Sequence, residues 1–189
     1  KPFAVSFFDG DYLVLEMLML HGVGIMQPGL HNYPSWSISV EFWMYLLFAV
    51  AMLLLRADRA RTLLAAGIVT ACTAWFAAGW AGAPAAAVTL DVQGLPRGLL
   101  GFFLGALMCH AWQRLAARNA WRSIVARPAV LGAVQLTAAL LALALVARQP
   151  QLGMAQLAIP FVFALLVLVL LPDQGIVARA LQTRPMQWL

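Results

Sequence analysis

A short polar segment, residues 31–45, holds most of the side chains in this sequence that could take part in chemistry. It reads His-Asn-Tyr-Pro-Ser-Trp-Ser-Ile-Ser-Val-Glu-Phe-Trp-Met-Tyr and leads into an apolar run. A helix that begins at Ser35, a residue type suited to helix starts, places Ser37, Glu41 and Tyr45 on one face, because residues four apart are neighbours on a helix surface. That face is polar in an otherwise apolar helix, so it is a candidate contact surface for a polar substrate.

Glu41 is the main candidate within this row. A carboxylate at the centre of a transmembrane helix costs roughly 2.5–3.5 kcal/mol, so it faces protein or water and marks a functional site. The alternative is that Glu41 stabilises the start of its own helix, since acidic side chains interact favourably with the helix dipole there. At the fourth or fifth helical position it would lie late for that role.

The composition indicates which solvent these residues meet. The sequence is 63% hydrophobic and 10% charged, with a mean hydropathy of +0.86, whereas soluble domains have about 25% charged residues. Most of the chain must therefore be in lipid. The net charge of +5 does not indicate a nucleic-acid partner, because the arginines lie in short gaps between apolar runs. Cys72 and Cys109 lie within apolar runs without disulfide or zinc spacing, and we predict no metal site.

Six apolar runs predict membrane-spanning helices, since about 20 residues cross a hydrocarbon core of ~30 Å. The predicted spans are 12–27, 37–55, 62–82, 97–113, 129–147 and 155–172. The first is short and contains Glu16 and His21, so a tilted or half-inserted helix is the alternative there. The predicted fold class is all-α, a polytopic transmembrane helical bundle with about six spans in this chain.

The arginines also predict the orientation of the bundle. Three gaps collect most of them: Arg56, Arg59 and Arg61; Arg114, Arg118, Arg122 and Arg127; Arg179 and Arg184. Because cytoplasmic loops are rich in Lys and Arg, residues 56–61, 114–128 and 173–187 are predicted to be cytoplasmic. The other gaps hold only Arg97 and Arg148. Arg97 is predicted at the extracytoplasmic end of its helix, which calls for a reason other than orientation.

Residues 32–45 resemble the signature of the acyltransferase family 3 membrane proteins, approximately N-x-P-S-W-S-L-S-V-E-x-x-x-Y. The segment matches this motif at nine positions: Asn32, Pro34, Ser35, Trp36, Ser37, Ser39, Val40, Glu41 and Tyr45. A second, weaker resemblance is Arg97 at the head of a glycine-rich helix, as in the family. Many members have a second acid after the first, and Phe42 stands in its place here, which suggests a different substrate subgroup.

The resemblance implies an integral-membrane O-acyltransferase of the bacterial inner membrane. Such a protein moves an acyl group, usually acetyl, from cytoplasmic acyl-CoA to a hydroxyl of an extracytoplasmic carbohydrate. The implied partners are acyl-CoA as co-substrate, the carbohydrate acceptor and membrane lipid, with no bound cofactor. Glu41 takes the catalytic position, where it would orient or charge-balance a histidine. The substrate-binding positions are Asn32, Trp36, Ser37, Ser39, Tyr45 and Arg97.

The resemblance places the family's catalytic histidine in a first helix that does not occur in this sequence. We therefore interpret residues 1–189 as a partial domain, cut at both ends, from a bundle of roughly ten helices. The isolated chain is accordingly expected to be inactive. The histidines of this sequence have structural interpretations, His31 as a loop residue and His110 as a residue of the membrane interface. The functional alternatives are a base at the mouth of the site for His31 and, with Arg114 and Arg118, a contact with a phosphate of CoA for His110. A relay of His21 with Glu16 is disfavoured, because residues five apart do not share a helix face well.

Two other functions remain open. In a transporter or flippase, Glu41 and Arg97 would bind an ion or polar solute. In an assembly subunit without a site of its own, the glycines on one face of the fourth span, Gly98, Gly101 and Gly105, would only pack against another helix. A histidine-bearing helix upstream would favour the enzyme.

Overall fold

The computed structural model describes residues 10–23, 35–82, 90–148 and 152–188, and within these ranges it is helical, without strands. The helices are α1 (Gly10–Met17), α2 (Ser35–Leu54), α3 (Asp58–Gly82), α4 (Leu90–Ala116), α5 (Asn119–Val125), α6 (Pro128–Ala147), α7 (Ile159–Leu170), α8 (Ile176–Leu181) and α9 (Arg184–Gln187). A 3₁₀ helix, Gly153–Ala158, leads into α7. The all-α prediction is confirmed.

Five stretches within the described residues are long and apolar enough to cross a membrane, as in a multi-pass membrane protein. They are Ser37–Leu54, Asp58–Gly79, Gly94–Ala116, Pro128–Ala147 and Gly153–Leu170. They agree with the second to sixth predicted spans. At most 28% of any of these stretches is buried within the chain, so most of their apolar surface is available to lipid.

The first predicted span, 12–27, is wrong as a continuous helix. Helix α1 has only eight residues and ends in a Schellman-type turn. The Leu20 N–H donates to the Leu15 carbonyl at 2.8 Å, and the Met19 N–H donates to the Glu16 carbonyl at 3.0 Å. Met19 takes the left-handed conformation, with φ of 54°, that ends a helix. Residues 24–34 lie outside the described ranges.

The chain forms two compact units, residues 1–103 and 104–189. In the first unit, α2 and the first half of α4 contact each other through Val40 and Met44, which lie against Gly98. Four residues further along both helices, the rings of Phe48 and Phe102 meet edge to face, 5.2 Å between centroids. Because contacts advance together along both helices, α2 and α4 run parallel here.

Among the described residues, only Gly98 of the predicted glycine face packs against another helix. A Cβ atom added at Gly98 would overlap the Val40 Cγ1 atom, whereas one added at Gly101 or Gly105 would meet nothing within 4 Å in the described chain. Beyond Gly98, the contact with α2 is made by Phe102, whose ring meets the rings of Tyr45 and Phe48.

We expect Gly98→Ala to destabilise the full-length protein by about 1–3 kcal/mol, the usual cost of overpacking, because the β-branched Val40 side chain has few rotamers with which to yield. Gly101→Ala is the matched control on the same helix, and it should leave stability unchanged or slightly improved. Thermal unfolding in detergent, followed by tryptophan fluorescence, measures both. Equal thermal midpoints for the two variants would contradict the α2–α4 contact.

A buried glutamine connects three segments of the second unit. Gln135 of α6 is fully buried, and its Nε2 atom donates to the Val169 carbonyl at 3.0 Å and to the Gln174 carbonyl at 2.5 Å. An amide nitrogen has two N–H groups, so it can hold both acceptors at once. The end of α7 and the turn before α8 are thereby attached to α6. Gly175, at φ of 99°, completes the turn directly against the Gln135 side chain.

Two arginines of the predicted cytoplasmic gaps also close helix ends. Arg61 donates to the carbonyls of Leu55, at 2.6 Å, and Met52, at 3.2 Å, after α2. Arg122 donates to the carbonyl of Ala116, at 3.3 Å, at the end of α4. The last carbonyls of a helix lack intrahelical donors and carry partial negative charge, so a guanidinium satisfies them. These arginines therefore have a local structural role in addition to the orientation predicted from the sequence.

Candidate functional site

Helix α2 begins at Ser35, where the sequence predicts it. Ser37, Glu41 and Tyr45 all lie on its exposed surface, in agreement with the predicted polar face. Glu41 is the seventh residue of the helix, and its first turn contains no acid. Because the helix dipole acts mainly within the first turn, the alternative of a helix-stabilising Glu41 loses its physical basis.

The exposed edge of α2 continues into an aromatic contact. The Tyr45 ring meets the Phe102 ring edge to face at 5.8 Å while the side chain remains 60% exposed. Phe102 of α4 therefore supports one edge of the Tyr45 ring, and the rest of the side chain is accessible to a partner. This is a suitable arrangement for the substrate contact that the resemblance implies, which stays a prediction.

Ser39 lies on the opposite, fully buried side of α2. Its hydroxyl donates to the Met19 carbonyl and accepts from the Gly22 N–H at 3.0 Å. One helical turn later, the Trp43 Nε1 atom donates to the same Met19 carbonyl at 2.8 Å. Two side chains of the motif segment thus hold the turn that follows α1. Ser39 has this structural role, and its predicted contact with substrate stays a prediction.

These hydrogen bonds stabilise an unfavourable backbone conformation. A non-glycine residue in the left-handed region costs roughly 1–2 kcal/mol, and Met19 has φ of 54°. Its carbonyl accepts from both Ser39 and Trp43, and each such bond contributes about 0.5–1.5 kcal/mol. The two bonds are therefore sufficient to offset the strain and to keep the turn against α2.

His21 lies inside this turn, between the two residues that Ser39 binds. It is only 8% exposed, and neither ring nitrogen has a hydrogen-bond partner among the described residues. His21 therefore forms no relay with Glu16, as the five-residue spacing of the two side chains indicates. His110 of α4 likewise has a buried Nε2 atom without a partner in the described part of the chain. His31 lies outside the described ranges.

We expect Ser39→Ala to destabilise the full-length protein by about 1–3 kcal/mol. The substitution leaves the Gly22 N–H without its acceptor and removes one of the two side-chain donors to the Met19 carbonyl. Trp43→Phe removes one donor and should cost less. Thr62→Ala is the control, since its hydroxyl only bonds a carbonyl of its own helix, at Asp58, 2.8 Å. The thermal midpoints of the three variants give the comparison. A loss for Thr62→Ala as large as that for Ser39→Ala would contradict the role of Ser39 in holding the turn after α1.

The α2–α4 contact brings Glu41 and Arg97 to the same level of the first unit. Val40 lies against Gly98. Glu41 directly follows Val40 in the chain, and Arg97 directly precedes Gly98. Both side chains are exposed, and neither forms an ion pair with any described residue. The only predicted site residues of opposite charge, 56 positions apart in the sequence, thus flank one helix contact.

Two predicted site residues cannot be placed. Asn32 lies outside the described ranges, as does the side chain of Trp36. Trp43 was not predicted as important, although a tryptophan N–H that is partly buried requires an acceptor, and its position four residues after Ser39 was the available signal. No group of three His, Cys, Asp or Glu side chains within the described chain could hold a metal ion.

No protein-family model, curated protein or solved structure matches this chain. Its function must therefore be inferred from residues 32–45, from Arg97 and from the geometry that relates them.

Proposed function

We propose that this chain belongs to an integral-membrane O-acyltransferase of a bacterial inner membrane. It would transfer an acyl group, most simply acetyl, from cytoplasmic acyl-CoA to a hydroxyl of an extracytoplasmic carbohydrate. The observation that carries the proposal is the placement of Glu41 and Arg97 on neighbouring helices at one level. The match of residues 32–45 to the acyltransferase signature supports it.

The two charged groups suit the chemistry of this transfer. A sugar hydroxyl attacks the thioester carbonyl, the C–S bond breaks, and the hydroxyl proton must pass to a base. A carboxylate at Glu41 can accept a hydrogen bond from a sugar hydroxyl or from the imidazole that takes the proton. The guanidinium of Arg97 can donate hydrogen bonds to oxygen atoms of the substrate. Ionisable residues cost free energy in membrane-spanning helices, so the presence of both Glu41 and Arg97 is typical of a functional site.

The decisive experiment is acyl transfer by the full-length protein. The purified protein in lipid nanodiscs is mixed with acetyl-CoA labelled in the acetyl group and with cell-envelope carbohydrate. We expect label in the carbohydrate, released by mild base as an ester would be, and an equal amount of free CoA thiol. The acceptor carbohydrate is taken from a strain that lacks the protein. Absence of labelled ester in that carbohydrate would contradict the proposal.

A transporter is the second candidate, because Glu41 and Arg97 could equally bind a polar solute. It predicts movement of an unmodified solute into proteoliposomes, without release of CoA thiol. The same preparation of protein serves both assays, so the two functions are separated by the chemical identity of the product.

A further inference from the structure

The α4–α5 corner, residues 112–122, carries three arginines of the second unit. Arg114, Arg118 and Arg122 are all exposed there. From position 92 to position 172 the sequence contains no acidic residue. The charge of these arginines therefore cannot be neutralised by any carboxylate of that stretch.

The corner is structurally defined. The rings of Trp112 and Trp121 meet edge to face at 5.9 Å, which attaches α5 to the end of α4. The Arg122 Nε atom bonds the Ala116 carbonyl at 3.3 Å, so its guanidinium lies at the end of α4. Arg114 stands in the last turn of the same helix. Several guanidinium groups are thus collected around one helix terminus.

The α2–α3 gap differs from this corner because it contains an acidic residue, Asp58. There, Arg61 is committed to the carbonyls of Leu55 and Met52 and lies 3.5 Å from the carboxylate of Asp58. That gap therefore contains its own counter-ion. At the α4–α5 corner, Arg114, Arg118 and Arg122 have no carboxylate partner among the described residues.

From these observations we propose that the α4–α5 corner binds the phosphate groups of the acyl-CoA donor. The inference rests on the proposed function for the identity of the ligand. Planar guanidinium groups bind phosphate through paired hydrogen bonds, and the corner lies on the side of the membrane where the sequence predicts the donor. Arg114 and Arg118 are the phosphate-binding residues, and Arg122 positions the corner through Ala116.

Replacement by lysine tests the proposal without changing the number of positive charges that orient the protein in the membrane. Lysine keeps the charge but cannot form the paired hydrogen bonds of arginine. We expect the Arg114→Lys/Arg118→Lys variant of the full-length protein to bind coenzyme A at least tenfold more weakly. Isothermal titration calorimetry with protein in nanodiscs of neutral lipid gives the dissociation constants.

The matched control is Arg56→Lys/Arg59→Lys, two exposed arginines of the α2–α3 gap, and it should bind coenzyme A as the wild type does. Equal affinity in wild type and both variants would overturn the proposal, as would absence of binding to the wild type. A second series in nanodiscs with anionic lipid separates the other source of phosphate. If anionic lipid abolishes binding of coenzyme A to the wild type, the corner binds lipid headgroups, and the proposal fails.

This experiment and the transfer assay can fail independently. If acyl transfer occurs but the lysine variant has an unchanged dissociation constant, the proposed reaction is supported and the donor site is contradicted. If coenzyme A binding depends on the arginines but no carbohydrate is acylated, the phosphate site is supported and the proposed reaction is contradicted.

Discussion

Replacement of Glu41 by glutamine is expected to reduce acyl transfer at least 100-fold in the full-length protein while leaving its folding and membrane insertion intact. Glutamine keeps the shape and one acceptor oxygen of glutamate but removes the charge. If the carboxylate orients or charge-balances the catalytic base, its loss is felt in the transition state, where each ~1.4 kcal/mol is a tenfold change in rate. A residue with only a helix-dipole role would lose about 0.3–1 kcal/mol of stability and keep its activity.

The natural control is Glu16→Gln, because Glu16 is the only other glutamate in the sequence and lies on α1. It should retain the activity of the wild type. O-acetylation of the surface carbohydrate is measured in cells that make equal amounts of each protein. Near-normal acetylation with Glu41→Gln would show that the charge is not required, and Arg97 would then be the remaining charged residue of the site.

The second large effect is expected for stability, from Gly175→Ala. Gly175 has φ of 99°, a region in which L side chains are strained by about 1–3 kcal/mol. An added Cβ would also lie 2.8 Å from the Gln135 Cδ atom and would displace the amide from the Val169 and Gln174 carbonyls. Unsatisfied buried groups cost about 1–3 kcal/mol, so the total loss should be about 3 kcal/mol or more.

Gly153→Ala separates strain from displacement. Gly153 also has a positive φ, 52°, but an added Cβ there meets nothing within 4 Å in the described chain, so only the strain of roughly 1–2 kcal/mol applies. In a Gln135→Ala background, Gly175→Ala should likewise cost only its strain, because the amide it displaces is absent. Thermal unfolding of the full-length variants provides all four values. An unchanged cost of Gly175→Ala in that background would show that Gln135 is not the group displaced.

The five long spans could be predicted from the sequence because hydropathy adds up along a continuous stretch of chain. A run of about 20 apolar residues must be helical in lipid, where every backbone group needs an internal partner. The polar face of Ser37, Glu41 and Tyr45 followed in the same way from the repeat of the helix. Both are local properties, and the structure confirms both.

The end of α1 was decided by tertiary contacts. The apolar run 12–27 continues past Met19, so hydropathy predicts a helix through it. The chain turns there because Ser39 and Trp43, 20 and 24 positions away along the chain, bond the Met19 carbonyl and offset the cost of its left-handed backbone. A window of local sequence contains neither donor.

Tertiary contacts also decided the geometry of the candidate site and the packing of the glycines. The motif placed Glu41 on one helix, and its level with Arg97 of α4 arises from the contact of Val40 with Gly98. Gly98 and Gly101 are three residues apart on α4, yet within the described chain only Gly98 lies against a neighbouring helix. Beyond Gly98, the contact with α2 is made by the Phe102 ring. Sequence alone determined which segments are long and apolar enough to span a membrane and which residues share a helix face. Which of them meet across helices depended on side-chain packing between segments far apart in the chain.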